Sequence, residues 1–238
     1  MGVKAVEAMP RGERAPGSKR QLTVAIRPAS DTFTPRQQAV LTAALDLLVE
    51  AGDGLTMTAV ARRASCSKET LYKWFGDRDG LLTATVQWQA AKVRVPLVDR
   101  KSLDTASLRA SIYQFARDLL ATIAGSTSVA LNRLAITHAT EDNGLGAIVL
   151  DNGRFTMGKR LKPLLEAGRD ARMLKFDNSE TAFRTFFGLV LRDIQIRLLL
   201  GDKLALSTKE IEADAERATD QFLALYGATS TRPERPQR

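Results

Sequence analysis

Apolar residues recur at spacings of three and four along most of the chain, and no stretch shows several alternating strands with hairpin signals between them. The clearest start is "TPRQ": Thr34 is placed to cap, Pro35 to take the first helical position and Gln37 to close a capping box. From there Val40, Leu41, Ala44, Leu45 and Leu48 form one stripe that stops at Gly52. "LTMTAVARRA" predicts a short second helix, opened by Thr56 or Met57 and buried through Val60, Ala61 and Ala64. After the turn "SCS", Ser67 caps a third helix beginning at Lys68, with Leu71 and Phe75 four apart on its buried face. Asp77 caps a fourth, which carries Leu81, Leu82, Val86 and Trp88 and ends by Val95, ahead of Pro96.

Beyond Pro96 the predicted helices lengthen: 105–124, 128–141, 147–167, 179–200 and 208–226. Ser207 and Glu210 make a capping box for the last. The segment 179–200 is apolar on two sides. Phe183, Phe186, Phe187, Val190, Leu191, Ile194 and Leu198 line one, and Leu189, Ile196 and Leu199 the other. A helix of that kind needs partners on both faces. The last helix places Ile211, Ala215, Ala218, Phe222 and Leu225 in one stripe, and pairing of these two helices across a homodimer, as a four-helix bundle, would cover both. The fold class is all-α. Residues 1–33, with Pro10, Pro16, Pro28 and six Lys or Arg, read as a loose basic arm, and 228–238 as a disordered tail.

Composition narrows the function. The 238 residues carry a formal charge of +8, which favours a polyanionic partner, nucleic acid ahead of an anionic membrane. "FFGLVLRDIQIRLLL" is interrupted by Arg192, Asp193, Gln195 and Arg197, so no membrane span is expected, and no signal-peptide run is seen. The lone Cys66 excludes an intramolecular disulfide and fits the reducing cytoplasm. An enzyme would need a nucleophile and base, a metal cluster or a phosphate loop. The chain offers one Cys, one His and a "GLGAIV" without its third glycine. His138, Glu141 and Asp142 share a helical face, but one His makes a poor metal site, and its place near a helix C-terminus explains it more simply. No metal or cofactor is expected.

Two short helices joined by a tight turn and braced by a longer one make a helix-turn-helix, whose second helix enters the major groove. Between 56 and 78, Arg62, Arg63, Lys68, Lys73 and Arg78 oppose Glu69 and Asp77. A charged helix face alone is usually only solvated; the spacing of the whole segment is what points to DNA. "GLTMTAVARRASCSKETLYKWFGDRDGLL" resembles the signature of TetR-type transcriptional regulators over about residues 34–82, through Gly54, Thr56, Thr58, Val60, Ala61, Ala64, Ser67, Leu71, Tyr72, Phe75, Arg78 and Leu81. Three positions depart: Cys66 stands where Val is usual, Trp74 where His is common, and Arg78 where Lys is frequent.

The resemblance implies a DNA-binding domain over 34–79 and a ligand-binding and dimerisation domain over 80–227. It implies phosphate contacts from Thr56 and Thr58, and from Tyr72, Lys73 and Arg78, and places Ser67, Lys68, Glu69 and Thr70 nearest the bases. The expected partners are double-stranded DNA with a palindromic operator, a second copy of the chain and a small-molecule effector, in a repressor that the effector releases. A sequence-tolerant DNA-coating protein is the rival, and its binding would collapse with salt and ignore sequence. The second half looks similar to the AefR-like subgroup of these regulators. Trp88, Tyr113, Phe155, Met157 and Phe176 are either pocket walls or ordinary core.

Overall fold

The computed structural model describes residues 33–51, 55–95, 102–137, 139 and 144–228. The basic arm before Phe33, the stops at Gly52 and Pro96, the His138, Glu141 and Asp142 group, and the tail after residue 228 lie outside the described residues.

The chain folds as α1 (Pro35–Ala51), α2 (Met57–Arg63), α3 (Lys68–Phe75), α4 (Arg78–Ala90), α5 (Thr105–Ala124), α6 (Ser126–Thr137), α7 (Leu145–Val149), a π-helical segment (Leu150–Arg154), α8 (Phe155–Asp170), α9 (Ser179–Leu191), α10 (Ile194–Leu199) and α11 (Thr208–Tyr226). Among the described residues the only strand-like pairing is an isolated bridge between Leu174 and Gly227. The sequence-encoded caps are made. Thr34 N donates to Gln37 Oε1 at 2.9 Å and Gln37 N returns to Thr34 Oγ1 at 3.3 Å. Ser207 and Glu210 exchange bonds of 2.8 and 3.3 Å at the start of α11. Thr56 is the α2 cap, and its hydroxyl accepts from Ala59 N at 3.1 Å.

The fourth helix ends at Ala90, within the expected limit at Val95; there Arg160, from α8, donates to the carbonyls of Ala90 and Val93, occupying acceptors that further α-helix would have used. Two later stretches differ from expectation. The stretch 147–167 is not one α-helix, because Leu150–Arg154 winds as a π-turn inside it. The stretch 179–200 breaks at Arg192, whose φ of 43° ends α9 before α10 begins.

Two apolar cores result. The head core gathers Val40, Leu41, Leu45 and Leu48 of α1, Val60 of α2, Leu71 and Phe75 of α3, and Leu81 and Leu82 of α4. It also contains Leu131, Leu134 and Ala135 of α6 and Leu145 of α7, so packing is continuous across the 79/80 position. The body core wraps α5 with α8, α9 and α11 around Phe115, Phe183, Phe186 and Phe222, the last two meeting edge to face at 5.4 Å. Ala215, Ala218 and Phe222 of the α11 stripe are consumed inside this core, whereas Ile196, Leu200 and Leu225 face outward at 54%, 81% and 62% exposure. No single helix among the described residues is long and apolar enough to cross a membrane.

Candidate nucleic-acid interface and internal cavity

The turn between α2 and α3 is held by backbone. Ala64 N bonds Val60 O at 2.8 Å and Cys66 N bonds Ala61 O at 3.0 Å. Ser65 takes a left-handed φ of 49°, and its carbonyl accepts from the Arg36 guanidinium at 2.7 Å. Sequence reading missed Arg36, since nothing in a helical stripe shows that a solvent-side arginine of α1 will reach a carbonyl 29 positions later. Cys66 is half-buried against the head core, in keeping with a packing role.

On α3 the two faces separate cleanly. Leu71 is fully buried and Phe75 is 9% exposed. Lys68, Glu69, Tyr72 and Lys73 are exposed, Tyr72 at 51%. Ser67 Oγ accepts from Thr70 N at 3.2 Å and sits 3.1 Å from the Thr70 hydroxyl, so both side chains are committed to the helix start. The Glu69 carboxyl is held below the usual carboxylate range by its own backbone N–H and then by the Ser67 hydroxyl; it is charged at neutral pH and accepts hydrogen bonds only. Thr56 and Thr58 are exposed at the start of α2. The structure thus brings Ser67, Lys68, Glu69, Thr70, Tyr72 and Lys73 onto one short helix whose back is anchored in the core.

The cations of this region are less uniform than the sequence suggests. Arg63 makes a two-point ion pair with Glu50 of α1, one arm at 3.1 Å. Arg78 is half-buried and donates Nε to the Leu55 carbonyl at 3.1 Å, tying α4 to the approach to α2. Trp74 is half-buried, packs on the head core and meets Phe75 edge-on at 6.2 Å.

Behind the head lies a cavity of about 240 Å³. Its wall is Val86, Gln89 and Ala90 of α4, Val93 just beyond it, residues of α5 and α6, the π-turn with Gly153 and Arg154, and Met157 and Phe187. Of the five residues weighed as pocket walls, Met157 alone lines it. Phe155 is 49% exposed, Tyr113 and Phe176 pack against the body core, and Trp88 packs against the head core under the Lys92 ammonium. The cavity was legible only in part because its mouth is shaped by the π-turn, which leaves no periodic trace. Among the described residues no group of His, Cys, Asp and Glu is placed to hold a metal ion.

A helix-turn-helix head continuous with a helical body that encloses a cavity defines a DNA-binding regulator architecture. Residues 40–85 match the profile of bacterial regulatory proteins of the tetR family, and residues 110–228 match that of the AefR-like transcriptional repressor C-terminal domain. The crystal structure of a TetR transcriptional regulator from Agrobacterium tumefaciens is 47% identical, with a TM-score of 0.70 over 82% of this chain and 96% of that one. The flavonoid-responsive regulator FrrA is 26% identical, with a TM-score of 0.59 over 82% of this chain and 98% of that chain. The HTH-type transcriptional regulator YdeS of Bacillus subtilis is 38% identical over 66 residues, which span 27% of this chain and one third (33%) of that protein's length. The chain belongs to the TetR family of transcriptional regulators.

Proposed function

We propose that this protein is a sequence-specific repressor that binds a palindromic operator as a homodimer in the cytoplasm and leaves it when a small molecule fills the cavity behind the head. One observation carries the reading. α4 contributes Leu81 and Leu82 to the head core and, one to two turns later, Val86, Gln89 and Ala90 to the cavity wall, with Val93 just past its end. An occupant of the cavity therefore presses on the same rigid element that supports α3. A ligand shifts such an equilibrium only through its differential contacts with the two arrangements, and α4 is where those contacts fall.

In this reading Lys68, Glu69 and Thr70 face base edges from the start of α3, with Ser67 beside them, while Thr56, Thr58, Tyr72 and Lys73 position the duplex through phosphates. Arg78, engaged with Leu55, acts by holding α4 against the approach to α2 as much as by touching phosphate. The outward Ile196, Leu200 and Leu225 of α10 and α11 supply apolar surface for the second protomer. The named response of FrrA to flavonoids supports a small organic effector.

Footprinting over the region upstream of the protein's own coding sequence tests the operator. A protected palindrome with half-sites about one helical turn (34–36 Å) apart, stable at physiological salt, is the expected result. Protection without sequence preference, vanishing as salt rises, would establish the DNA-coating alternative instead.

A further inference from the structure

The polar groups of the cavity wall are unequally satisfied. Asn132 is spent locally, its Nδ2 donating to the Ser128 carbonyl at 2.8 Å. Gln89 is only 6% exposed, and its Oε1 is buried with no hydrogen-bond partner among the described residues. An orphaned buried acceptor is destabilising, so a lone amide at the edge of a cavity marks a place where a donor is missing. The second group is Arg154, the last residue of the π-turn. Its guanidinium carbon lies 4.3 Å from the centre of the Phe187 ring and 4.6 Å from that of Phe183, and among the described residues it makes no hydrogen bond or ion pair. Burial disfavours its charged form, and Glu180, the nearby opposite charge, is itself held by Lys162 at 2.9 Å and Arg184 at 3.2 Å. A guanidinium over aromatic rings keeps N–H groups for an acceptor, and a carboxylate is the acceptor whose geometry and charge suit it best.

Most of the remaining wall is apolar, with Leu119, Met157 and Phe187 among its members, beside Thr122, Ser128 and Gln195. The volume, about 240 Å³, falls just below that of sites for drug-sized ligands, which start at about 300 Å³. That volume suits a ligand of one or two flat rings. We propose that the cavity binds a compact hydroxylated aromatic carboxylate, its acid group on Arg154 and its hydroxyl bonded to the side-chain amide of Gln89. The proposal rests on the reading that this cavity is the effector site, and adds to it the chemical class of the effector.

Calorimetric titration of the full-length protein with para-hydroxycinnamate, cinnamate and methyl para-hydroxycinnamate tests it. The hydroxy acid binds most tightly, loss of its hydroxyl or of its charge each weakening binding by about tenfold. Gln89→Leu erases the preference for the hydroxyl and leaves that for the acid; Arg154→Met does the reverse. This cross-over is a readout that general unfolding does not imitate. Absence of saturable binding, or preferences that survive in both variants, would overturn the assignment. Mobility shifts on operator DNA separate the two claims. If the hydroxy acid binds with these preferences and DNA stays bound, the chemical assignment stands and release through this cavity fails. If an unrelated apolar compound releases DNA from the wild type but not from Leu119→Trp, where the cavity is filled, release stands and the hydroxy-acid class is overturned.

Discussion

Gly80 faces the carbonyl of Phe75 so closely that a Cβ at position 80 would lie 1.9 Å from that oxygen. The contact joins the last residue of α3 to the first turn of α4, where Asp77 Oδ1 accepts from Gly80 N at 2.7 Å. Backbone cannot yield as a side-chain tip does, so Gly80→Ala separates the two helices. It is expected to cost upwards of about 1–3 kcal/mol, the usual range for overpacking, and to reduce operator affinity more than its loss in melting temperature accounts for. Thermal unfolding and mobility shift on the same preparation check this.

Ser65 sits at the opposite end of the recognition helix with a left-handed φ of 49°. That conformation costs an L-residue about 1–2 kcal/mol, partly offset by the extra chain entropy glycine brings to the unfolded state. Ser65→Gly is therefore expected to stabilise the protein by up to about 1 kcal/mol, seen as a higher denaturation midpoint, with the Arg36 bond to the carbonyl retained.

Side chains on the exposed face of α3 divide by what they read. Lys73→Ala should weaken all sequences alike and lower the slope of log affinity against log salt by about one, and Tyr72→Phe should weaken them alike as well. Lys68→Ala should relax preference at one position of each half-site by about 1–3 kcal/mol. Selection of bound DNA from a random pool by each variant checks the division, and an unchanged consensus for Lys68→Ala would remove base reading from that residue.

Arg160 ties the end of α4 to α8 through two carbonyls, that of Val93 at 3.1 Å. Burial disfavours its charged form, and the two acceptors offset that cost. Arg160→Met should destabilise by about 1.5–3 kcal/mol, the range for hydrogen bonds to charged groups, and should weaken the response to a cavity ligand because α4 loses its fixed end. Ligand-induced loss of DNA binding, compared with the wild type at matched fractional saturation, measures the second effect.

Asp118 is 8% exposed. Burial pushes its carboxyl up, but hydrogen bonds from Arg94, Gln114 and Arg117 outweigh this and hold it below the usual carboxylate range. With the folded value depressed, its contribution is fully present above the unfolded value of about 3.9 and is lost as pH falls through the folded value. Asp118→Asn should lower stability near neutral pH and flatten the acid limb below about pH 4. Denaturant unfolding at pH 7 and pH 3 would show the gap between wild type and variant closing.

How much of this was legible follows from what leaves a periodic or capping trace. α3 was read nearly residue by residue, because a Ser cap and Leu71 and Phe75 four apart admit one orientation. The span 105–124, read from its stripe and the stop at Gly125, matches α5, while the Asp104 cap that opens it emerges from the structure. Arg192 was seen as a break in hydrophobicity but not in backbone, since a left-handed non-glycine residue carries no compositional signal. Trp74 could not be assigned from sequence, and its turn towards Phe75 depends on the space α3 finds against the head core. The sharing of Leu131 between head core and cavity wall was also hidden, because a stripe shows that a helix has a buried face and not how many neighbours divide it.

The π-turn at Leu150–Arg154 has a consequence for how this chain tolerates changes in length. A π-turn is geometrically one residue inserted into an α-helix, so the segment sets the rotational phase between α7, which packs on the head, and α8, which packs in the body. Deleting one residue from it would restore continuous α-helix and leave α7 and α8 in their present phase, whereas deleting one from the regular turns of α8 would rotate every later position by roughly a hundred degrees relative to its present neighbours. The π-turn is thus the place in this stretch where the loss of one residue leaves both cores in phase, and the same loss in the regular helix on either side forces a choice between them.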